Sequence, residues 1–260
     1  MSHETNRMTA PLLRAEGYRL LAAALGYPDA DELGALFSEA KSAAEAAGQA
    51  ELASLAATLL STVDSNLAGE YNRLFSQSVA VTPYETSYVA ADKGVQLGRL
   101  AALMEAFGVR SRGDEHESAD HVGSELEFMA FLCLKEASHQ DETSVEGKEA
   151  YSAVRGAQAL FLQEHLGVWA GVFADRLRRA TRHPFYVAIA EILPTWIERD
   201  LVENGWHTEP IAPRLHLPLV QPDGSVQSTI ETGDLESDAM ICPMAEPPSA
   251  ESDAAPIHIG

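Results

Sequence analysis

Apolar residues recur at three- and four-residue spacing along most of the chain, and the breaks fall at proline, glycine or acidic turns. Leu12, Leu13, Leu20, Ala23 and Ala24, with Glu16 among them, trace one helical face. Pro28-Asp-Ala-Asp31 then interrupts the pattern and supplies capping carboxylates for a second helix from Glu32 to Ala47. Gly48 ends that helix, Leu52 to Leu67 carries a third, and Ala68 to Phe75 a fourth, which ends before the break at Val81-Thr-Pro83. Lys93 to Phe107 reads as helix on the stripe Leu97, Leu100, Leu103, Met104 and Phe107, with Gly108 as its stop. A polar loop at Ser111 to Glu117 precedes a strong helix from Asp120 to Ser138. After a break at His139 to Ser144, two or three more helices fill Val145 to Ala180 and Pro184 to Glu203. No strand alternation appears before about residue 207, which disfavours the sheet-based enzyme classes.

From Trp206 onward the texture changes. Prolines recur, and acidic residues outnumber the single Arg214, so residues 207–260 are expected to form an extended or partly disordered tail beyond a helical domain spanning 1–206. Within that tail Leu215 to Val220 and Met240 to Met244 are apolar patches able to dock on a surface.

Composition narrows the function. With 46% hydrophobic residues the chain can bury a sizeable core. Its formal net charge of −21 disfavours nucleic acid and an acidic membrane surface, and favours a partner bearing Lys or Arg. Cys133 and Cys242 cannot make a disulfide framework. Neither a signal-like N-terminal segment nor a spanning apolar run is evident, so a cytoplasmic protein without stable membrane insertion is expected.

Two clusters carry candidate chemistry. In the first, Tyr71, Leu74 and Phe75 share a helical face, and Val81-Thr-Pro-Tyr-Glu-Thr-Ser-Tyr88 sets aromatics about a proline-initiated turn. Core packing is the ordinary fate of such residues; the functional alternative is an apolar-aromatic groove with a carboxylate rim, suited to a peptide with a basic end. In the second, Ser118 or Asp120 can cap a helix whose apolar stripe is broad enough for burial on more than one side, which brings Glu125 and Glu127 close to a core. Glu117, His121 and Glu125 are also spaced to share a helical face as metal ligands, although the zinc-protease spacing is absent.

Taken in order, Tyr71-Asn-Arg-Leu-Phe75, Pro83-Tyr-Glu-Thr86 with Tyr88, and Glu117-Ser-Ala-Asp-His121 running on to Glu125-Leu-Glu-Phe-Met129 resemble the TorD/DmsD/NarJ family of redox-enzyme maturation chaperones. Phe161 to Trp169 and His183-Pro-Phe-Tyr186 are similar to the family's later helices. Two positions depart from its pattern: Ala119 replaces a proline and Thr86 a common serine. The resemblance implies a single all-α bundle of the TorD-like type and an assembly chaperone, not an enzyme, without a cofactor of its own. Its client would be the immature catalytic subunit of a molybdopterin oxidoreductase of the DMSO reductase family, bound before cofactor insertion, often through a twin-arginine signal segment. On that implication Glu85, Glu117 and Asp120 meet the arginines, while Tyr71, Leu74, Phe75 and Tyr84 accept the apolar part. Pro83 and Tyr88 frame the turn, and His121 orients Asp120 or binds directly. Monomer and homodimer are both compatible. The alternatives are a helical metal-dependent hydrolase using Glu117, His121 and Glu125, or a permanent structural subunit of a redox complex.

Overall fold

The computed structural model describes residues 2–77, 79–89, 91–110, 118–210, 219–220 and 226–227, with side chains from 10 to 210. Helices dominate, as the periodicity predicts. They are α1 (Ser2–Leu25), α2 (Ala30–Ala46), α3 (Ala50–Leu60), α4 (Leu67–Tyr71), α5 (Lys93–Ala106), α6 (Val122–His139), α7 (Val145–Glu164), α8 (Leu166–Ala180) and α9 (Pro184–Asn204). The expected loop 111–117, with Glu117, and nearly all of the tail lie outside the described residues. Within the tail, β1 (Leu219–Val220) pairs antiparallel with β2 (Val226–Gln227). Among the described residues no helix is long and apolar enough to cross a membrane.

Local chemistry explains several boundaries. The Asp29 carboxylate accepts the amides of Asp31 and Glu32 and starts α2, the capping expected of that turn. The third helix stops at Leu60 instead of reaching Leu67, because Asp64 accepts the Asn66 amide and turns the chain into α4. The run from Val145 to Ala180 breaks at His165, whose φ of −125° and ψ of −105° leave the helical region. Gly205 closes α9 at φ +69°, a left-handed cap that glycine adopts without penalty.

The core is a packed helical bundle in which α1 and α6 form the most extensive pair. Gly123 faces the Ala22 carbonyl at this pair, at a separation where a Cβ would make ordinary contact, 3.8 Å. α6 is buried on more than one side, through Val122, Leu126, Phe128, Met129, Leu132 and Cys133, as its broad stripe predicts. Glu125 goes fully inside with them, whereas Glu127 is exposed.

The face of α1 is a correction. Leu12 is 42% exposed and Leu13 half-buried, while Arg14 and Tyr18 point inward. The cause is a polar cluster between α1, α6, α7 and α9. Arg14 donates to Asp200, to Glu136 Oε2 at 2.7 Å and to Gln158 Oε1 at 2.7 Å, and the Tyr18 hydroxyl donates to Asp200 Oδ2 at 2.7 Å. Trp206 covers the cluster, with the Arg14 and Arg155 guanidiniums 5.6 and 4.5 Å from its ring. A buried arginine in this setting needs every partner it has, since one unpaired charge costs several kcal/mol.

Candidate functional site

The aromatic motif sits on an unusual turn. α4 ends at Tyr71 and continues as a single π-helical turn over Asn72–Ser76, closed by the Gln77 amide donating to the Asn72 carbonyl at 2.7 Å. Such wider turns rotate the side chains after them and often mark working segments. Here Leu74 is fully buried and Tyr71 and Phe75 nearly so, with Phe75 against Phe173 and Tyr186 at 6.4 and 5.7 Å. Tyr71 also meets Tyr27, centroids 5.3 Å apart, and Tyr27 is 69% exposed.

The two sequence clusters come together. Tyr84 and His121 form an isolated antiparallel bridge, flanked by the Glu85 amide donating to the Asp120 carbonyl at 2.9 Å and the Val122 amide donating to the Pro83 carbonyl at 2.8 Å. The Tyr84 and His121 rings meet at 5.4 Å. Both segments are thereby extended where they touch, so α6 starts at Val122 rather than at Asp120. Its cap is also reassigned. His121, not Ser118 or Asp120, is the N-cap residue, with Nδ1 accepting the Gly123 amide at 3.1 Å. Asp120 turns instead to Thr86, whose hydroxyl donates to it at 2.6 Å.

Behind the bridge lies a buried polar chain. Glu85, fully buried, accepts from Gln96 Nε2 at 2.9 Å, and both its oxygens lie 3.1 Å from His165 Nδ1. A carboxylate can only accept there, so Nδ1 carries the hydrogen. Glu125, equally buried, accepts from Trp169 Nε1 at 3.0 Å, and its other oxygen faces no donor. Burial first, and the charge of Glu85 second, hold the Glu125 carboxyl well above the usual carboxylate range. Kept protonated, its otherwise orphaned oxygen becomes a donor toward Glu85, which removes the conflict of two buried carboxylates.

Of the sequence-derived residues, then, Tyr71, Leu74, Phe75, Pro83, Glu85, Tyr88, Asp120 and His121 are buried and Tyr84 is half-buried. Glu85 and Asp120 already accept hydrogen bonds from their own chain, Glu85 beside Gln96 and His165 and Asp120 at Oδ2 from Thr86, so an incoming guanidinium would share these carboxylates with those partners or displace them. Tyr88 donates its hydroxyl to the Thr82 carbonyl at 2.7 Å and lies against Trp169 at 5.1 Å, both interior roles. The metal-ligand reading separates His121, which caps α6, from Glu125, which faces Trp169; among the described residues no three His, Cys, Asp or Glu side chains gather as metal ligands. Sequence reasoning missed Tyr27, His165, Gln96 and Trp169. Tyr27 carried a signal in hindsight: an aromatic between Gly26 and Pro28, in a turn outside any helical stripe, has no periodic reason to be there.

The comparisons with known proteins agree with the motif resemblance. A model of the nitrate reductase delta subunit family matches residues 40–175. The chain is 30% identical over 140 residues to the chaperone protein TorD of Vibrio cholerae serotype O1 (strain ATCC 39315 / El Tor Inaba N16961), covering 52% of this chain and 60% of that one. It is 29% identical over 141 residues to the chaperone protein TorD of Photobacterium profundum, covering 52% and 62%. Against the perchlorate reductase assembly chaperone protein of Dechloromonas aromatica (strain RCB) identity is 27% over 212 residues, 76% of this chain and 92% of that one. The chain thus aligns with about three fifths of the length of the TorD relatives and with nearly all of the Dechloromonas one. With the family model spanning more than half of its length and the family's motifs meeting at one site, the chain belongs to the nitrate reductase delta subunit (NarJ/TorD) family.

Proposed function

We propose that the protein is an assembly chaperone that binds the immature catalytic subunit of a molybdopterin oxidoreductase and holds it until its cofactor is inserted. The observation that carries this reading is the junction of the two motifs, Tyr84 against His121, in a chain of this family whose relatives include a chaperone protein TorD and a perchlorate reductase assembly chaperone protein. The binding segment would be basic and apolar, as an N-terminal twin-arginine signal segment is. A net charge of −21 attracts its basic end, and the apolar part has Tyr84 and Tyr27 to meet at the surface. Tyr71, Leu74, Phe75, Pro83 and Tyr88 then act from inside, shaping the surface on which those rings sit. Glu85 and Asp120 hold the site together, and the arginine contacts fall to exposed carboxylates. Glu117 stands at the entrance of this site in sequence and remains the candidate acceptor there. The role needs no catalysis, and the protein works where the client is made, in the cytoplasm, as monomer or homodimer.

The test is made in the source organism. Deleting the gene should leave one molybdopterin oxidoreductase subunit without cofactor, and the full chain should restore it while Tyr84→Ala with Tyr27→Ala restores it poorly at unchanged abundance. Normal cofactor loading of every such enzyme in the deletion strain would sink the proposal.

A further inference from the structure

A second surface feature is unconnected with the bridge. Between α8 and α9 lies a cavity of about 390 Å³, with Gly167, Ala170 and Gly171 on one wall and Ile197, Leu201 and Val202 on the other. Small residues open it: a Cβ at Gly171 would meet nothing within 4 Å. Val202 stands 72% exposed on its rim. A concave apolar surface of this kind ordinarily has an occupant.

Three observations identify that occupant as part of this chain. The chain leaves the helical bundle through the cavity itself, since Trp206, His207, Thr208 and Pro210 form its end wall. That exit is pinned: Gln163 Nε2 donates to the His207 carbonyl at 2.8 Å, and the Thr208 hydroxyl donates to the Gln163 carbonyl at 3.2 Å. Further on, β1 at Leu219–Val220 returns to contact α8, the helix of the small-residue wall. The sequence between these points fits the space. Leu215, Leu217 and Leu219 alternate, which in an extended chain sets three leucines on one face. Five residues from Pro210 to Leu215 reach about 16 Å at ~3.3 Å each, enough to turn back along the cavity. Arg214 is the sole Lys or Arg after residue 206, and Glu198 on the α9 wall is exposed to receive it.

We propose that the α8–α9 cavity is the docking site of the chain's own segment 214–220, which lays its leucines against Gly167, Ala170 and Gly171 and its arginine toward Glu198. The segment covers Val202, the exposed apolar residue of the α9 wall, and fixes where the acidic remainder of the tail begins. Exposed charge pairs contribute little, so the leucines supply affinity and Arg214 supplies direction.

The test uses the full chain carrying Cys242→Ser, which leaves the buried Cys133 as the remaining natural thiol. With Gly171→Cys and Leu217→Cys added, mild oxidation should close an intramolecular disulfide about tenfold faster than with Leu134→Cys and Leu217→Cys, whose first position is exposed on α6 outside the cavity. Val202→Cys in place of Gly171→Cys repeats the measurement from the opposite wall without touching a glycine. Adding Leu215→Asp and Leu219→Asp should bring either cavity pair down to the α6 rate. Equal rates at cavity and α6 positions, a fast rate that survives the aspartates, or a disulfide formed chiefly between two copies would each overturn the proposal.

Discussion

The Thr86 hydroxyl donates to Asp120 Oδ2 at 2.6 Å, across 34 residues of sequence, and so ties the Pro83–Thr86 turn to the entrance of α6. The Thr86 amide approaches the same oxygen at 3.4 Å, a much weaker contact. What the position requires is a hydroxyl beside a carboxylate that is only 4% exposed, and threonine provides it as well as serine does. The departure at this position therefore conserves the interaction.

Thr86→Val keeps the shape and removes the donor. It should lower unfolding free energy by about 1–3 kcal/mol, the cost of leaving a buried acceptor without its partner, whereas Thr86→Ser should change it by less than about 1 kcal/mol. Urea unfolding followed by circular dichroism reads both. Equal midpoints for Thr86→Val and the parent would mean that the bond does not hold the turn.

Glu125 gives a pH dependence with a definite sign. Its folded pKa is raised above the 4.5 of an unfolded glutamate, first by burial and then by the charge of Glu85. The folded state therefore keeps a proton that the unfolded chain loses, and this contribution is complete below pH 4.5 and declines as pH rises toward the folded pKa. The slope approaches about 1.4 kcal/mol per pH unit within that window and ends once Glu125 ionises in the folded protein. In Glu125→Gln the amide donates to Glu85 and accepts from Trp169 at every pH, so the difference between variant and parent should grow in the variant's favour as pH rises from 4.5. Parallel stability curves from pH 4.5 to 8 would show that no proton is held there.

How much of this was legible in sequence divides along a physical line. Period and punctuation report local preference, so the helices, the Asp29 cap and the broad stripe of α6 could all be read. The bridge between Tyr84 and His121 joins two short segments that have no period of their own. Arg14 finds Asp200 across 186 residues, and in the pattern of α1 it is indistinguishable from a surface arginine, so periodicity alone puts Leu12 and Leu13 on the inner face. His165 looks like one more helical residue; its contact with Glu85 across 80 residues, where the chain breaks, has no mark in the local pattern. The motifs name segments that meet in the fold, but which of their side chains face outward is decided by partners the motifs do not contain.

The Arg14 cluster makes a stability prediction. Arg14→Met should cost about 3–5 kcal/mol, because Asp200 would lose its cation and Glu136 would keep only the longer pair with Arg155 at 3.3 Å. It should also change the fluorescence of Trp206, which packs over Arg14 and Arg155. The further change of Asp200→Asn and Glu136→Gln should recover part of the loss. A single variant as stable as the parent would mean that the cluster does not join α1 to α9.

Gly17 is fixed by a close approach. A Cβ there would fall 1.9 Å from Trp196 Cζ2, a distance no non-bonded pair of atoms tolerates, so Gly17→Ala must shift the indole or part α1 from α9. Overpacking of this kind costs about 1–3 kcal/mol, and Trp196→Leu combined with Gly17→Ala should cost less than the sum of the two single changes. Additive thermal shifts would mean that the two residues do not meet.

Ala119 can be tested in the opposite direction. The His121 amide donates to the Ser118 carbonyl at 3.0 Å, which makes residues 118–121 a turn with Ala119 at its first central position. Proline suits that position because its ring presets the required φ, and it stabilises by restricting the unfolded chain. Ala119→Pro should therefore raise unfolding free energy by about 0.4–1 kcal/mol, with the Thr86–Asp120 bond and the His121 cap undisturbed. The same variant separates stability from function. If a firmer turn is what presents Tyr84 and His121 to a client, peptide affinity should rise together with the unfolding midpoint. A higher midpoint with unchanged affinity would confine position 119 to folding, and a lower midpoint would show that the turn's φ is not one proline can adopt.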